Sequence, residues 1–325
     1  MLNRVSLTPL PTDAHATGPN VAWEETPCPL CGADACVPVL EAPDPLPAPG
    51  TGLVFAVVRC ACCSLIYTNP RPSERTISRF YPTDYQPHRR PTQMRRSRRA
   101  RPLWARVSGR PCPERRGVLP WTGPGRLLDF GCGVGGFLKT MADQGWNVTG
   151  LDASIGAVEQ ARERLGLTAL VGTLPHPELR PGSFDVVTMW HSLEHVHRPL
   201  ELLREAYKLL VPGGKIILAT PNIASLPYHV FGRSWFGLDL PRHLTHFTPH
   251  TLTAMVSAAG FRPDPVRQLR HSDWMRSSAA RAERDGCRGL LTKVLKWKPA
   301  ARLGAWVCYA ARASDCIVCV AERPK

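Results

Sequence analysis

The chain has 325 residues, 43% hydrophobic and 21% charged, enough for one full-sized core with a smaller unit beside it and too apolar for a disordered chain. Its opening MLNRVSLTPLPTDAHATG lacks the apolar stretch of a secretory signal, and no run reaches the roughly 18 apolar residues of a membrane helix. The twelve cysteines therefore read as metal ligands or core residues of a reducing compartment, and the chain is expected in the cytoplasm.

Residues 1–26, rich in Pro, Thr and Ala, are expected to form a flexible tail. A cysteine module, 27–84, follows. Cys28-Pro29-Leu30-Cys31 and Cys60-Ala61-Cys62-Cys63 make two C-x-x-C knuckles separated by 28 residues, 32–59. Thiolates from Cys28, Cys31, Cys60 and Cys63 can surround zinc tetrahedrally and close a loop too small to bury a core of its own, as in a zinc ribbon. Cys36 and Cys62 are left over, and Cys62 could replace Cys63 at the expense of the spacing. A closed four-cysteine site is structural, so no catalysis is assigned to it; the alternative is a set of unrelated reduced cysteines.

A connector, 85–125, comes next. Between His88 and Gly117 eleven arginines stand against one acid, Glu114, and supply much of the formal net charge of +15. Such a stretch could track phosphates or an anionic surface. Trp104 is the one aromatic among the arginines between His88 and Gly117, too few for a stacking platform, so the plainer reading is a solvated linker. Leu103 and Trp104 hint at one docking helix within it.

From residue 126 strands and helices alternate. Strands are predicted at 126–130, 147–151, 168–171, 184–189, 215–219 and 316–321, with helices at 137–144, 155–165, 199–210 and 251–259. This rhythm predicts an α/β fold, a Rossmann-like doubly wound sheet with right-handed crossovers, over 126–325. Segments near 222–250 and 266–312 fit the rhythm less well and are candidate caps over a substrate. A third C-x-x-C, Cys316 and Cys319, lies inside a predicted strand, where residues three apart face opposite sides; these two read as core.

Asp129-Phe130-Gly131-Cys132-Gly133-Val134-Gly135-Gly136 follows the first of these strands and opens a helix, a place for a ligand approached closely by backbone. Asp152 ends the next strand, where a carboxylate can accept from both hydroxyls of a ribose. The loop alone is ambiguous, since Gly131, Gly133 and Gly136 also satisfy the dinucleotide pattern G-x-G-x-x-G. The remainder separates the two. S-F-D-V-V at 183–187, L-E-H-V at 193–196 and L-V-P-G-G-K at 210–215, in that order, resemble the class I S-adenosylmethionine-dependent methyltransferases.

With the knuckles and R-C-A-C-C-S-L-I-Y-T-N-P-R-P ending at Pro72, the chain resembles bacterial members that carry an N-terminal zinc-binding segment and methylate sugars, lipids or secondary metabolites. Its catalytic domain is similar to the ubiquinone-biosynthesis O-methyltransferases. The resemblance implies that Gly131, Gly133 and Gly135 flank the methionine part of the cofactor, with Asp129 beneath its amino group. It implies Asp152 at the ribose and Thr173 and Leu174 at the edge of the adenine, although many relatives carry an acid where this chain has Gly172-Thr173. The implied acceptor is a small molecule, saccharide or lipid-linked compound, methylated at oxygen or carbon. Nucleic-acid methylation, suggested by the zinc module and basic connector, is the alternative. Against it, the fourth strand ends Thr188-Met189-Trp190-His191-Ser192, without the Asn/Asp-Pro-Pro-aromatic motif that holds a base amine. A cofactor-binding partner without catalysis fits poorly with an intact glycine loop and Asp152.

His191, Glu194 and His195 stand at i, i+3 and i+4, so a helix beginning here would point all three from one face toward the strand C-termini. In the ubiquinone-type relatives the matching positions carry Glu-x-x-Glu-His and are associated with a divalent metal near the acceptor hydroxyls. His191 in place of the first Glu keeps a ligand but favours softer ions. The resemblance thus implies either a second divalent metal or His195 as general base; the plainer reading is that these side chains merely secure the helix start. Pro241-Arg242-His243-Leu244-Thr245-His246-Phe247-Thr248 matches a further recurrent motif of these relatives, leaving His243 and His246 as catalytic candidates or as lid histidines bonded to backbone.

Overall fold

The computed structural model describes residues 21–46, 52–81, 124–287 and 289–325. Most of the predicted tail, and of the Arg-rich connector with Leu103 and Trp104, lies outside them.

The catalytic domain is built on β6 (Arg126–Phe130), β7 (Asn147–Asp152), β8 (Ala169–Val171), β9 (Phe184–Trp190), β10 (Leu210–Pro221) and β14 (Cys316–Glu322). Across the sheet the order is β8-β7-β6-β9-β10-β14, parallel from β8 to β10 and antiparallel at β14. Two short strands, β12 (Arg262–Pro263) and β13 (Arg267–Leu269), pair antiparallel with the outer side of β14. The chain winds outward from β6 to β8 and then returns to β9 on the other side of β6. The switch point therefore lies between the C-terminal ends of β6 and β9, where open α/β sheets bind their ligands.

Covering this sheet are α1 (Gly136–Ala142), α2 (Ile155–Leu165), α3 (Pro199–Leu209) and α5 (Pro249–Ala258); α4 (Leu226–Phe231) belongs to the cap. Sequence signals set these helices clearly. Ser154 caps α2 by accepting from the Ala157 amide, and Gly166 ends it in the left-handed region. Thr248 and Thr251 form a reciprocal capping box on α5. The predicted strand at 215–219 is longer than expected: β10 begins at Leu210 and absorbs Pro212-Gly213-Gly214 as an irregularity in its pairing with β9.

The cysteine module is not freestanding. Its strands β2 (Cys36–Pro43), β3 (Val54–Cys60) and β4 (Ile66–Thr68) form an antiparallel sheet completed by β11 (Thr245–His246), which comes from the first cap segment. At its other end β1 (Trp23–Glu24) pairs with β5 (Arg71–Pro72). Leu65 and Tyr67 share one buried cluster with Leu193, Phe247 and Leu252 of the catalytic domain. A second core joins Phe55 and Val57 of the module to Trp235 and Leu238 of the first cap segment, and to Met275 and Ala279 of α6 (Ser272–Arg284). The second cap segment continues as α7 (Leu290–Lys296) and α8 (Lys298–Ala310).

Deep in this junction the Trp235 indole donates to Asp315 at 2.7 Å. Burial pushes the Asp315 carboxyl up to about 7, against the small lowering effect of that bond. Its folded pKa thus exceeds the unfolded value of about 3.9, so its contribution to stability is full below about pH 4 and is lost as pH rises through 7. Asp315→Asn, a neutral near-isostere, is expected to melt a few degrees above wild type at pH 8 and level with it near pH 4. Equal melting shifts at both pH values in a calorimetric series would contradict this.

Candidate active site

The loop after β6 turns through glycines in the left-handed region: Gly131 at φ 73°, Gly133 at φ 53° and Gly135 at φ 81°. At Gly131 a Cβ would lie 2.6 Å from the Cβ of Ser192, so the cofactor loop and the turn after β9 meet with no room for a side chain. Ser192 secures the contact by donating to the Phe130 carbonyl at 3.0 Å. Asp129 lies buried under the loop and accepts from the Thr188 hydroxyl at 2.7 Å.

Asp152 ends β7 and accepts from the amides of Gly133 and Ser154, both at 2.8 Å. The carboxylate therefore holds the loop, and its remaining lone pairs stay available to a ligand's hydroxyls, since two oxygens offer about four acceptor sites. At the end of β8, Thr173 is exposed and Leu174 buried. Asp152, Thr173 and Leu174 stand at or just past the C-terminal ends of β7 and β8, on one side of the switch point, in the order expected for a nucleoside: an acid at the second strand, a small polar and an apolar residue at the third. They fit an adenosyl cofactor, approached by a loop whose left-handed glycines carry no side chain.

The turn after β9 differs from expectation. No α-helix starts at His191. That residue sits in the left-handed region at φ 54°, strained for a side chain with a Cβ, and a short 3-10 turn, Leu193–His195, follows. The two histidines consequently diverge, with Glu194 between them. His191 Nδ1 lies 3.4 Å from Glu194 Oε1, while its Nε2 faces the Cys316 thiol at 3.8 Å. His191, His271 and Cys316 bring one ligating atom each within 4.8 Å of one another. Trp274 closes this group, stacked on His271 with ring centroids 4.8 Å apart. Cys316 is buried as predicted for a core residue, yet its sulfur looks toward His191.

His195 turns the other way. Its Nδ1 is 3.0 Å from the Arg242 carbonyl and 2.9 Å from the Tyr81 hydroxyl. A carbonyl can only accept, so Nδ1 carries the proton and the lone pair of a neutral ring is on Nε2. His243 is fixed in the same manner, its Nδ1 donating to the Gly237 carbonyl at 2.8 Å. The two imidazoles meet edge to face at 4.6 Å between centroids. Glu194, His195 and His243 form a second group of ligating atoms within 4.8 Å of one another. Burial lowers the His195 pKa, with Glu194 and Asp239 partly opposing; burial and the neighbouring His195 push His243 well below the ordinary value. Both rings are neutral at pH 7.

His246 does not join this cluster. Its Nε2 lies 3.2 Å from the Thr68 hydroxyl inside the β4–β11 pair, and burial pushes its pKa down to about 3.

Between His195 and His243 the backbone is held by Arg242, fully buried, whose guanidinium bonds Asp44 at 2.8 Å, Asp239 at 3.0 Å and the Phe80 carbonyl at 2.8 Å. Burial alone would raise the Asp239 carboxyl, but the guanidinium beside it holds it well below the usual carboxylate range. Sequence reasoning missed Arg242, Asp239 and Asp44. Arg242 stood in the same motif, immediately before the singled-out His243, a signal that could have been used; Asp44 gave none. Tyr81, His271 and Trp274 were missed as well, each lying far along the chain from the motifs.

In the cysteine module, the sulfurs of Cys28 and Cys63 are 3.4 Å apart and those of Cys31 and Cys60 are 3.5 Å apart. All four lie within 4.8 Å of one another, and none is paired as a disulfide. Zinc bound to sulfur at about 2.3 Å in a tetrahedron places its ligands roughly 3.8 Å apart, close to this spacing.

The parallel order β8-β7-β6-β9-β10 followed by antiparallel β14, the glycine loop and the acid at the end of the second strand define a class I S-adenosylmethionine-dependent methyltransferase. The chain belongs to the family described as a methyltransferase domain, whose model matches residues 90–266, more than half its length. It is 33% identical over 161 residues to the ubiquinone biosynthesis O-methyltransferase of Xanthomonas euvesicatoria pv. vesicatoria, covering 46% of this chain and 67% of that protein. To the enzyme of the same name from Vibrio cholerae serotype O1 it is 40% identical over 159 residues, 45% of this chain and 65% of that one. The chain thus spans about two thirds of the length of these relatives. Among solved structures, a complex of the Haloferax volcanii Trm112 methyltransferase activator with a methyltransferase aligns at 18% identity and a TM-score of 0.48, over 65% of this chain and 87% of that one.

Losing the Asp152 carboxylate removes charge-assisted bonds worth roughly 1.5–3 kcal/mol each and loosens the loop it braces. Asp152→Ala is expected to weaken S-adenosylmethionine binding by at least about tenfold in calorimetry. Gly133→Val should do the same through backbone strain, because φ 53° disfavours a branched side chain. Wild-type affinity in both variants would remove these residues from the cofactor site.

Proposed function

We propose that the protein methylates a hydroxyl of a small-molecule acceptor, with His195 as the proton-accepting residue, and that its four-cysteine module holds a structural zinc. The observation that carries the reading is the His195 Nδ1 bond to the Arg242 carbonyl, which leaves the lone pair of a neutral ring on Nε2, in a turn pressed against the glycine loop at the switch point of the sheet.

Bound along the glycine loop and Asp152, S-adenosylmethionine supplies an electrophilic methyl group on a sulfonium sulfur. The protein's share is to bring the acceptor oxygen in line with that methyl and to accept its proton. His195 is suited to the second task, oriented by the Arg242 carbonyl and Tyr81, with the Glu194 carboxylate stabilising the imidazolium that forms. Glu194, His195 and His243 also offer one carboxylate and two imidazole lone pairs, a donor set suited to a divalent ion. Those three residues would hold the ion, which would lower the pKa of an acceptor hydroxyl. His191 is outside this set and shapes the opposite wall with His271, Cys316 and Trp274. His246 is left out of the proposal.

The names of the related O-methyltransferases support an aromatic or polyprenyl-linked hydroxyl as the acceptor class. Methyl-labelled S-adenosylmethionine, offered with a panel of catechols, phenols, sugars and transfer RNA, tests the proposal. Label is expected in a hydroxyl-bearing small molecule, in an alkali-stable ether. Label confined to RNA or to carbon would overturn it.

A further inference from the structure

The outermost helices of the second cap segment pack inside out. In α8 the face turned inward carries Ala301, Ala305 and Cys308, while Leu303, Trp306 and Val307, at i, i+3 and i+4, face solvent. Leu303 is 64% exposed and Trp306 54%. In α7 the buried residue is Thr292, and Leu290 and Leu291 stand outward, Leu290 at 79%. Trp297, between the helices, is 66% exposed. Of the fourteen large hydrophobic side chains exposed among the described residues, eight fall between 290 and 309, so this is one concentrated surface and not ordinary scatter.

Both helices are held against α6. At Gly304 of α8 a Cβ would lie 2.6 Å from the Met275 sulfur, and Arg276 donates to the Lys296 carbonyl at 3.1 Å. The close approach permitted by the small inward residues fixes the large ones on the outside.

The charge carried by these two helices has one sign. Residues 289–314 contain Lys293, Lys296, Lys298, Arg302 and Arg312 and no acid. Lys296 is paired with Glu283; Lys293, Lys298 and Arg302 are exposed beside the apolar residues. Exposed Leu and Trp bordered by Lys and Arg is the composition of a helix that lies in a lipid interface, its apolar side chains at the acyl boundary and its cations among the headgroups. No helix of the described residues is long and apolar enough to cross a membrane, so the mode is lying on the surface. The Arg-rich stretch of this same chain carries the wrong charge to cover these helices.

We infer that α7 and α8 form a docking surface for an anionic lipid bilayer. The surface is built on α6, whose first turn carries Trp274 of the site wall, so docking would hold the catalytic domain by the helix that borders its acceptor side. The inference does not depend on the acceptor's identity.

The test is co-sedimentation of the full chain with vesicles of phosphatidylcholine, alone or mixed with phosphatidylglycerol, read together with tryptophan fluorescence. Binding is expected to the anionic vesicles, with a blue shift and weakening in salt. The triple variant Lys293→Glu, Lys298→Glu, Arg302→Glu should bind them about 100-fold more weakly. Trp297→Ser with Trp306→Ser should lose the blue shift and most of the binding. S-adenosylmethionine affinity at the wild-type level confirms that each variant is folded. Absence of binding by folded wild type would overturn the inference. So would a concentration-dependent dimer, seen by light scattering, that is lost in the tryptophan variant while vesicle binding is absent.

Discussion

His195→Ala is expected to lower kcat by about 10²–10⁴-fold, the usual cost of removing a general base, with little change in S-adenosylmethionine affinity. The residues proposed to contact the cofactor stand at the ends of β6, β7 and β8, whereas His195 hangs from the turn after β9 and is held from the cap side. Glu194→Gln should have a smaller effect of the same kind, since it removes the charge that favours the imidazolium but leaves the base in place. The pH dependence carries a sign. Burial depresses the His195 pKa, so the ring is neutral at and below its ordinary value of 6.5, and the acid limb of kcat/KM should fall below that pH. A limb at or above 6.5 contradicts the assignment. His243→Ala and a chelator then separate the two ways the cluster can act. If Glu194, His195 and His243 hold an ion, all three variants lose activity alike and chelation reproduces the loss. If His195 acts alone, chelation changes nothing and His243→Ala is the mildest of the three. Near-normal turnover in both His195→Ala and Glu194→Gln would reduce the cluster to scaffolding.

The buried histidines also tie stability to pH. His195, His243 and His246 all have folded pKa values depressed by burial, so the stability they contribute is present above about pH 6.5 and is lost as pH falls toward their folded values. Acid should therefore loosen the β4–β11 junction, where His246 lies, as well as the site.

What was legible in the sequence is the part set by local rules. The helix 155–165 is bounded by a Ser cap and a left-handed glycine, and it forms over those residues. The glycine loop and Asp152 are adjacent strand ends, so their meeting follows from strand order. The turn after β9 was misread because i, i+3, i+4 spacing implies one face only on an α-helix. His191 in the left-handed region breaks that geometry, and the following 3-10 turn has a different period. The sequence contained the right residues and the wrong neighbours. His195 meets His243 and Tyr81, and His191 meets Cys316, through contacts spanning from 48 to 125 positions, which no local pattern encodes. The join between module and cap was equally hidden, because a two-residue strand such as β11 has no periodicity to detect.

That join changes what loss of the metal should do. Chelation, or Cys31→Ser, is expected to unfold the cysteine module, since apparent binding energies of structural zinc are about 10–16 kcal/mol, comparable with the whole stability of a domain. Were the module an appendage, activity would survive. Instead β4 pairs with β11, Thr68 donates to the His243 carbonyl at 2.9 Å, and Asp44 holds Arg242 between His195 and His243. Unfolding the module would strip these supports and leave the buried Arg242 with one of its two carboxylates, a loss of the kind that costs several kcal/mol. Turnover should therefore collapse together with the module. The glycine loop, braced by Asp152 and Ser192, keeps its own anchors, and S-adenosylmethionine should still bind. Metal analysis should find about one zinc per chain in protein purified without chelator. Limited proteolysis should then cut within residues 27–81 of the Cys31→Ser variant and spare the sheet. Protein free of zinc, or a proteolysed module with wild-type turnover, would refute this coupling between the proposed zinc site and the His195–His243 cluster.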